Sequence, residues 1–164
     1  MKNQKPPPPG SDPLPDEVEF DPGRMLRMAV EFYEVGILCG GMPGMKPTRK
    51  WYAHPQVVNF AFAAELALKG LQVAFGVVHR PQGHDLRELF DALPPNVQDR
   101  IQGDSNTVLK AERLERVSHA FSIWRYAYEH GELAISIDFL QGIALTAIAV
   151  LRERVGERGQ DSQP

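Results

Sequence analysis

The chain has 164 residues, of which 43% are hydrophobic and 24% are charged, and its formal net charge is −3. This length and apolar content predict one domain with a single substantial core. The slight negative charge excludes a general electrostatic attraction for nucleic acid, so contact with RNA requires a local basic patch. The single cysteine, Cys39, excludes an intramolecular disulfide and a cysteine-based zinc site, and it favours a reducing, cytoplasmic location.

The first 20 residues predict a disordered tail. Four consecutive prolines, Pro6 to Pro9, stand among acidic and small residues, and such a composition buries too little apolar surface to fold. Docking of this tail on an aromatic groove as a polyproline II segment is the less favoured interpretation. No apolar leader precedes the first helix, so no secretory signal is predicted. We expect one helical domain at 21–156 and a flexible end at 157–164.

A first helix and a basic loop follow the tail. Asp21 before Pro22 is typical of a helix N-terminus, and apolar residues then recur at helical spacing up to Gly40. The stretch 40–54 is rich in proline and glycine and predicts a long loop.

This loop contains candidate substrate-binding residues. Its cations stand beside Trp51 and Tyr52, a mixture that can hold a phosphate and stack a base. The simpler alternative is that the two aromatic residues anchor the loop on the core while the cations stay solvated. The cations are Lys46, Arg49 and Lys50.

The segment from Pro55 to about Val78 is rich in alanine and almost continuously apolar, which predicts a central helix buried on more than one face. Glu65 and Lys69 are its notable polar pair, and their i,i+4 spacing places acid before base on one face. A solvated ion pair is the simpler interpretation. The alternative is that this face lines a cleft or a subunit interface.

A short helix is predicted to begin at Asp85. Asp85 and Glu88 have the spacing of a capping box, and an apolar face follows before Pro94. His84 and Asp85 are both potential metal ligands, but no second histidine or carboxylate set accompanies them at ligand spacing. We therefore expect capping and no metal site.

Two further helices complete the predicted bundle. The segment from Thr107 to His130 repeats apolar residues three and four apart, and Gly131 follows as a C-cap. A last helix starts near Ser136 and runs to Leu151; it is too short and too polar for a membrane span of roughly 20 residues, so we expect no membrane association. Four long helices and one or two short ones predict an all-α bundle. The apolar repeat is Leu114, Val117, Phe121, Trp124 and Tyr128.

Three segments, in this order, resemble the HEPN superfamily. They are Ala-Ala-Glu-Leu-Ala-Leu-Lys in the central helix, Gly-His-Asp-Leu-Arg-Glu-Leu-Phe at the following turn, and Trp-Arg-Tyr-Ala-Tyr-Glu-His in the next long helix. The resemblance covers about residues 24 to 152. It implies an up-and-down bundle of four to five helices, usually a homodimer, whose members are often metal-independent ribonucleases of toxin–antitoxin, phage-defence or RNA-processing systems.

The same resemblance implies two catalytic residues, because an arginine and a histidine four to six residues apart carry the chemistry in active members. Here these are Arg125 and His130. RNA supplies its own nucleophile, the 2′-hydroxyl, so cleavage needs a proton acceptor, a proton donor and charge stabilisation, with no metal or cofactor. His130 would transfer the proton, Arg125 would grip the phosphate, and Tyr126 would stack a base or donate a hydrogen bond.

Helix geometry constrains this pair. Five residues at about 100° each turn through roughly 500°, so in an unbroken helix Arg125 and His130 point about 140° apart. Either the helix unwinds near Gly131, or two copies meet across a twofold axis and pool their side chains. The alternative function is a non-catalytic HEPN-like dimer that binds nucleotide, RNA or an antitoxin-type protein partner, with Arg125 paired to Glu129 and His130 as an exposed cap.

Overall fold

The computed structural model describes residues 20–40, 52–79, 81–102, 111–125 and 135–161. In these ranges the chain forms seven α-helices and no strand, which confirms the predicted all-α bundle. Four of the helices have eight or more residues. In chain order the helices are α1 (Pro22–Gly40), α2 (Ala53–Ala74), α3 (Leu86–Asp91), α4 (Pro95–Gln102), α5 (Ala111–Val117), α6 (Ala120–Arg125) and α7 (Ile137–Asp161).

Helix α2 is the centre of the bundle. It packs against α1, α3, α6 and α7, and most of its residues are buried. By length and composition this helix could cross a membrane, but 72% of its most apolar window is buried inside the bundle. A helix surrounded by other helices has apolar residues on all faces, as the alanine-rich sequence predicted.

Two glycines allow the long helices to approach closely. A Cβ atom at Gly36 of α1 would lie 2.6 Å from the ring of Phe60 on α2, and one at Gly70 of α2 would lie 2.7 Å from Leu151 Cδ2 on α7. Real Cβ atoms do not come so close to other side chains, so any larger residue must displace a buried neighbour. The spacing of α1, α2 and α7 therefore depends on these two positions.

Aspartates cap α1 and α3 as the sequence predicted. The Asp21 carboxylate accepts hydrogen bonds from the backbone amides two and three residues on, at 2.8 and 3.1 Å. Asp85 Oδ1 accepts from the equivalent two amides of α3, also at 2.8 and 3.1 Å. Each carboxylate satisfies N–H groups that have no partner within the helix. The buried amide of Gln72 then ties α3 to α2, because it donates to the Leu89 carbonyl at 2.9 Å.

The helix predicted from 107 to 130 is not continuous over its described part, 111–125. A turn at Ser118 and His119 separates α5 from α6. At this break the Ser118 carbonyl accepts a hydrogen bond from the backbone amide of Leu86, the first residue of α3, at 2.9 Å. The break in the helix thus provides the Ser118 carbonyl as an acceptor for the first residue of α3. The same contact places Asp85 beside the turn. His119 Nδ1 lies 3.4 Å from Asp85 Oδ2.

The apolar repeat of this segment faces the core despite the break. Leu114 and Val117 are buried, and Phe121 and Trp124 are partly buried against the same core. The predicted inward face is confirmed for these four residues. Tyr128, the last member of the repeat, lies outside the described residues.

Candidate functional site at the junction of α2, α3 and α6

The predicted site residues divide between the described and the undescribed parts of the chain. Arg125 is the last residue of α6, and its side chain is exposed. His130 and Tyr126 lie outside the described residues, as do the loop cations Lys46, Arg49 and Lys50. Their roles stay predictions, and the geometry of the site starts from Arg125.

Glu65 is a buried carboxylate with two cationic or potentially cationic partners. Its side chain is only 2% exposed, and Oε1 lies 2.7 Å from Lys69 Nζ and 2.9 Å from His84 Nδ1. Lys69 is itself mostly buried, at 13% exposure, whereas His84 is 58% exposed. The interpretation of Glu65 and Lys69 as a solvated pair is wrong, because α3 and α6 pack on α2 and His84, two residues before α3, contacts the carboxylate.

The contact with Glu65 fixes the hydrogen-bonding state of His84. When the carboxylate is ionised it has no proton to donate, and the hydrogen of this bond is then on Nδ1 of the imidazole. In the neutral ring the lone pair is then on Nε2. The His84 side chain is 58% exposed, so its ring is also accessible to a ligand. Glu65 therefore orients His84 as the carboxylate of a catalytic dyad does.

The second oxygen of Glu65 has an unusual environment. Lys69 and His84 share Oε1, whereas Oε2 is buried and has no hydrogen-bond partner among the described residues. Most buried polar groups in folded proteins have a partner, and an unsatisfied one costs about 1–3 kcal/mol, more if it is charged. A carboxylate held at such a cost is a candidate functional group.

Arg125 and His84 contact the same aromatic ring. The guanidinium carbon of Arg125 lies 4.9 Å from the centroid of the Phe121 ring, and the His84 ring lies 5.7 Å from that centroid at a tilt of 36°. We call Glu65, Lys69, His84, Phe121 and Arg125 the junction cluster. It combines a surface cation with an imidazole that a buried carboxylate orients.

A column of rings holds Phe121 in position. Its ring stacks on Phe62 of α2 with centroids 4.8 Å apart, and Phe62 makes an edge contact with Phe32 of α1 at 4.6 Å. Such offset and edge arrangements are the favoured geometries for aromatic pairs. The aromatic side of the junction cluster is therefore supported by two of the long helices.

Other charged groups nearby have partners of their own. Asp85 uses one carboxylate oxygen to cap α3 and directs the other towards His119. The hydrogen bond with Asp91 raises the pKa of Arg87 above its ordinary value, so Arg87 keeps its charge. In the described ranges, no three His, Cys, Asp or Glu side chains form a group that could hold a metal ion. The junction cluster thus brings an imidazole that contacts a carboxylate, and a guanidinium, to one aromatic ring.

Sequence reasoning selected Arg125 as a candidate, which stays a prediction, but did not predict the contact between His84 and Glu65. The distance between Glu65 and His84 along the chain is 19 residues, and no local pattern predicts a contact at that separation. A signal was present in α2, where one acidic residue stands on a helix that is otherwise apolar almost all round. A carboxylate in such a helix needs a buried partner.

Comparisons of this chain with protein-family models, with curated proteins and with solved structures find no match. The resemblance to the HEPN superfamily therefore remains a prediction that rests on the three sequence segments.

Proposed function

We propose that this protein is a HEPN-like, metal-independent endoribonuclease of the toxin, defence or RNA-processing type, in which Arg125 and His130 assist attack by the 2′-hydroxyl on the adjacent phosphate. One observation supports the proposal most directly: the guanidinium of Arg125 and the imidazole of His84 both contact the ring of Phe121, and His84 also contacts the carboxylate of Glu65. A phosphate-binding cation and a proton-transfer group are the two components that RNA cleavage requires.

Arg125 suits the phosphate. A guanidinium that lies over an aromatic ring presents its N–H groups in its own plane, where they match two oxygens of a phosphate. Negative charge increases on those oxygens in the transition state, so the interaction strengthens as the reaction proceeds. The Phe121 ring beside it is an apolar surface on which a base can stack.

Two histidines divide the proton transfers in this mechanism. The 2′-hydroxyl must lose a proton and the leaving 5′-oxygen must gain one, and a single residue rarely serves both positions at once. His84, held by Glu65, supplies one imidazole; His130, predicted from the sequence, supplies the other. No step in this scheme needs a metal ion.

The proposed molecule is an up-and-down bundle that acts as a homodimer. Arg125 and His130 diverge by about 140° on a straight helix, and a twofold axis beside α6 would bring the arginine of one copy to the histidine of the other. We expect a dimer in sedimentation experiments at tens of micromolar protein. A strict monomer with full activity would contradict this part of the proposal.

The test is cleavage of RNA in the presence of EDTA by the wild type and by the variants Arg125→Gln, His130→Ala and His84→Gln. We expect the wild type to cut RNA but not a substrate with 2′-deoxyribose at the cleavage site, and each variant to be about 10²–10⁴-fold slower. The matched control is His79→Gln, which removes an exposed histidine from the loop after α2. Absence of cleavage by the wild type, or wild-type rates in Arg125→Gln and His130→Ala, would refute the proposed activity.

A non-catalytic HEPN-like module that binds nucleotide, RNA or a protein partner such as an antitoxin is the second candidate. The observation that favours it is Tyr52, which belongs to the predicted loop and is 52% exposed, so part of its ring is accessible for stacking. This function predicts that the protein binds labelled RNA without degrading it. Tyr52→Ala should then weaken the binding free energy by about 1–3 kcal/mol. Degradation of the bound RNA by the wild type would exclude it.

A further inference from the structure

A concave site lies between α5 and the start of α7 and shares no residue with the junction cluster. Its cavity volume is about 340 Å³, which is within the usual range for small-molecule sites. Two arginines, one hydroxyl and three apolar side chains line it. These residues are Arg113, Arg116, Val117, Ile135, Ser136 and Phe139.

The two arginines concentrate positive charge on this cavity. Arg113 and Arg116 are three residues apart on α5, so they extend from one face of the helix, and both are exposed. Among the ion pairs of the described residues, none includes either of them. Four other arginines do face carboxylates: Arg27, Arg87, Arg100 and Arg154.

Two acidic residues close in sequence to lining residues, Glu115 and Asp138, are not part of the lining. Glu115 lies between the two arginines on α5, and positions one and two apart on a helix do not share a face. Asp138 follows Ser136 in the first turn of α7 and is exposed, but it is not part of the lining. Among the described residues, the lining therefore carries two positive charges and no negative one.

The arginine nearer the apolar wall is held in place by packing. The guanidinium carbon of Arg113 lies 4.4 Å from the centroid of the Phe139 ring, and Phe139 is buried. A stacked guanidinium loses less conformational entropy when it binds an anion, and its N–H groups remain available at its edge. Val117 and Ile135 continue the apolar wall beside it.

We propose that this cavity binds a terminal phosphate monoester attached to an apolar or aromatic body. Two guanidinium groups match the charge and the oxygens of a dianion, whereas a neutral ligand would leave both cations without a counter-charge. The apolar wall accommodates the body next to the phosphate. The phosphate belongs either to a free small molecule or to the end of a polynucleotide, and the recognition chemistry is the same in both cases.

The test is calorimetric titration of the full-length protein with phenyl phosphate. We expect saturable binding with a dissociation constant of about 1 mM or tighter, and weakening of about tenfold or more in Arg113→Gln and in Arg116→Gln. Ser136→Phe fills the cavity while both arginines remain, and it should abolish binding. Arg152→Gln is the matched control, because it removes one exposed positive charge from α7 outside the cavity.

Additional probes test the phosphate and the apolar body of the ligand separately. They also distinguish a free small molecule from the end of a polynucleotide. Phenol carries the body without the charge, and inorganic phosphate carries the charge without the body; each should bind more weakly than phenyl phosphate. A short 2′-deoxy oligonucleotide with a 5′-phosphate, compared with the same strand without it, tests a polynucleotide end by competition with phenyl phosphate. Binding of these probes does not require cleavage, so the outcome is independent of the proposed ribonuclease activity. No saturable binding of phenyl phosphate, or equal loss in Arg152→Gln, would overturn the proposal.

Discussion

The ion pair between Glu65 and Lys69 provides a quantitative test of the junction cluster. We consider Glu65→Met and Lys69→Met, singly and together, because methionine keeps an unbranched side chain of similar length and has a comparable helix propensity. Both native side chains are largely removed from solvent, at 2% and 13% exposure. The three variants therefore change buried charge with little change in shape.

The expected magnitudes follow from what each variant leaves behind. Lys69→Met leaves a buried carboxylate whose one remaining partner among the described residues is His84, so we expect a loss of about 3–5 kcal/mol in the free energy of unfolding. Glu65→Met leaves the ammonium of Lys69, whose flexible stem lets it reach water, so we expect a smaller loss of about 1–3 kcal/mol. The double variant removes both charges and should lie within about 1 kcal/mol of the wild type, or above it.

The assay is urea unfolding followed by far-ultraviolet circular dichroism, with free energies from linear extrapolation and a check that the slope is unchanged. Arg154 and Glu157 form an exposed pair that serves as the control, and Glu157→Met should change stability by less than about 1 kcal/mol. Losses that simply add in the double variant would refute the reasoning, because they would show that Glu65 and Lys69 contribute independently.

Three further predictions concern packing and capping. Gly36→Ala should lower the free energy of unfolding by about 1–3 kcal/mol in urea melts, because the new methyl group collides with the buried ring of Phe60. Gly142→Ala, in the interior of α7 with no neighbour near the added carbon, should raise it by up to about 1 kcal/mol; equal losses at both glycines would contradict the packing argument. Asp85→Ala should cost about 1 kcal/mol in the same assay through loss of the α3 cap, and Asp85→Asn, which can still accept these hydrogen bonds, should recover most of it; no difference between the two would exclude a capping role.

The elements that local sequence determines were predicted well. Asp21 before Pro22 and Asp85 before an apolar run marked the starts of α1 and α3, because a cap depends on residues within one turn. The alanine-rich segment indicated a central helix, since burial on all faces removes the polar stripe that a surface helix carries. The caps depend on contacts within one helical turn, and the central helix is indicated by the composition of a whole segment.

The features that were missed depend on tertiary contacts. The break at Ser118 interrupts a segment whose apolar periodicity continues, and its compensation is a hydrogen bond to Leu86, more than thirty positions earlier. The i,i+4 spacing of Glu65 and Lys69 is the same on a solvated face as on a buried one. Only the packing of α3 and α6 on α2 distinguishes a buried face from a solvated one, and that packing also brings His84 to the Glu65 carboxylate.

The free-energy cost of burying the charge of Glu65 connects the stability of the bundle to its proposed chemistry. A buried ion pair seldom stabilises a protein more than apolar side chains of the same size, so the double methionine variant separates the two roles. We expect it to fold with wild-type stability but to leave His84 without the acceptor that orients its ring, and therefore to cleave RNA about 10²-fold more slowly. A stable double variant with wild-type cleavage rates would exclude Glu65 as a positioning residue and, with it, the oriented His84 as a proton-transfer group. A stable variant with slow cleavage would mean that this chain maintains an unfavourable buried charge for its function.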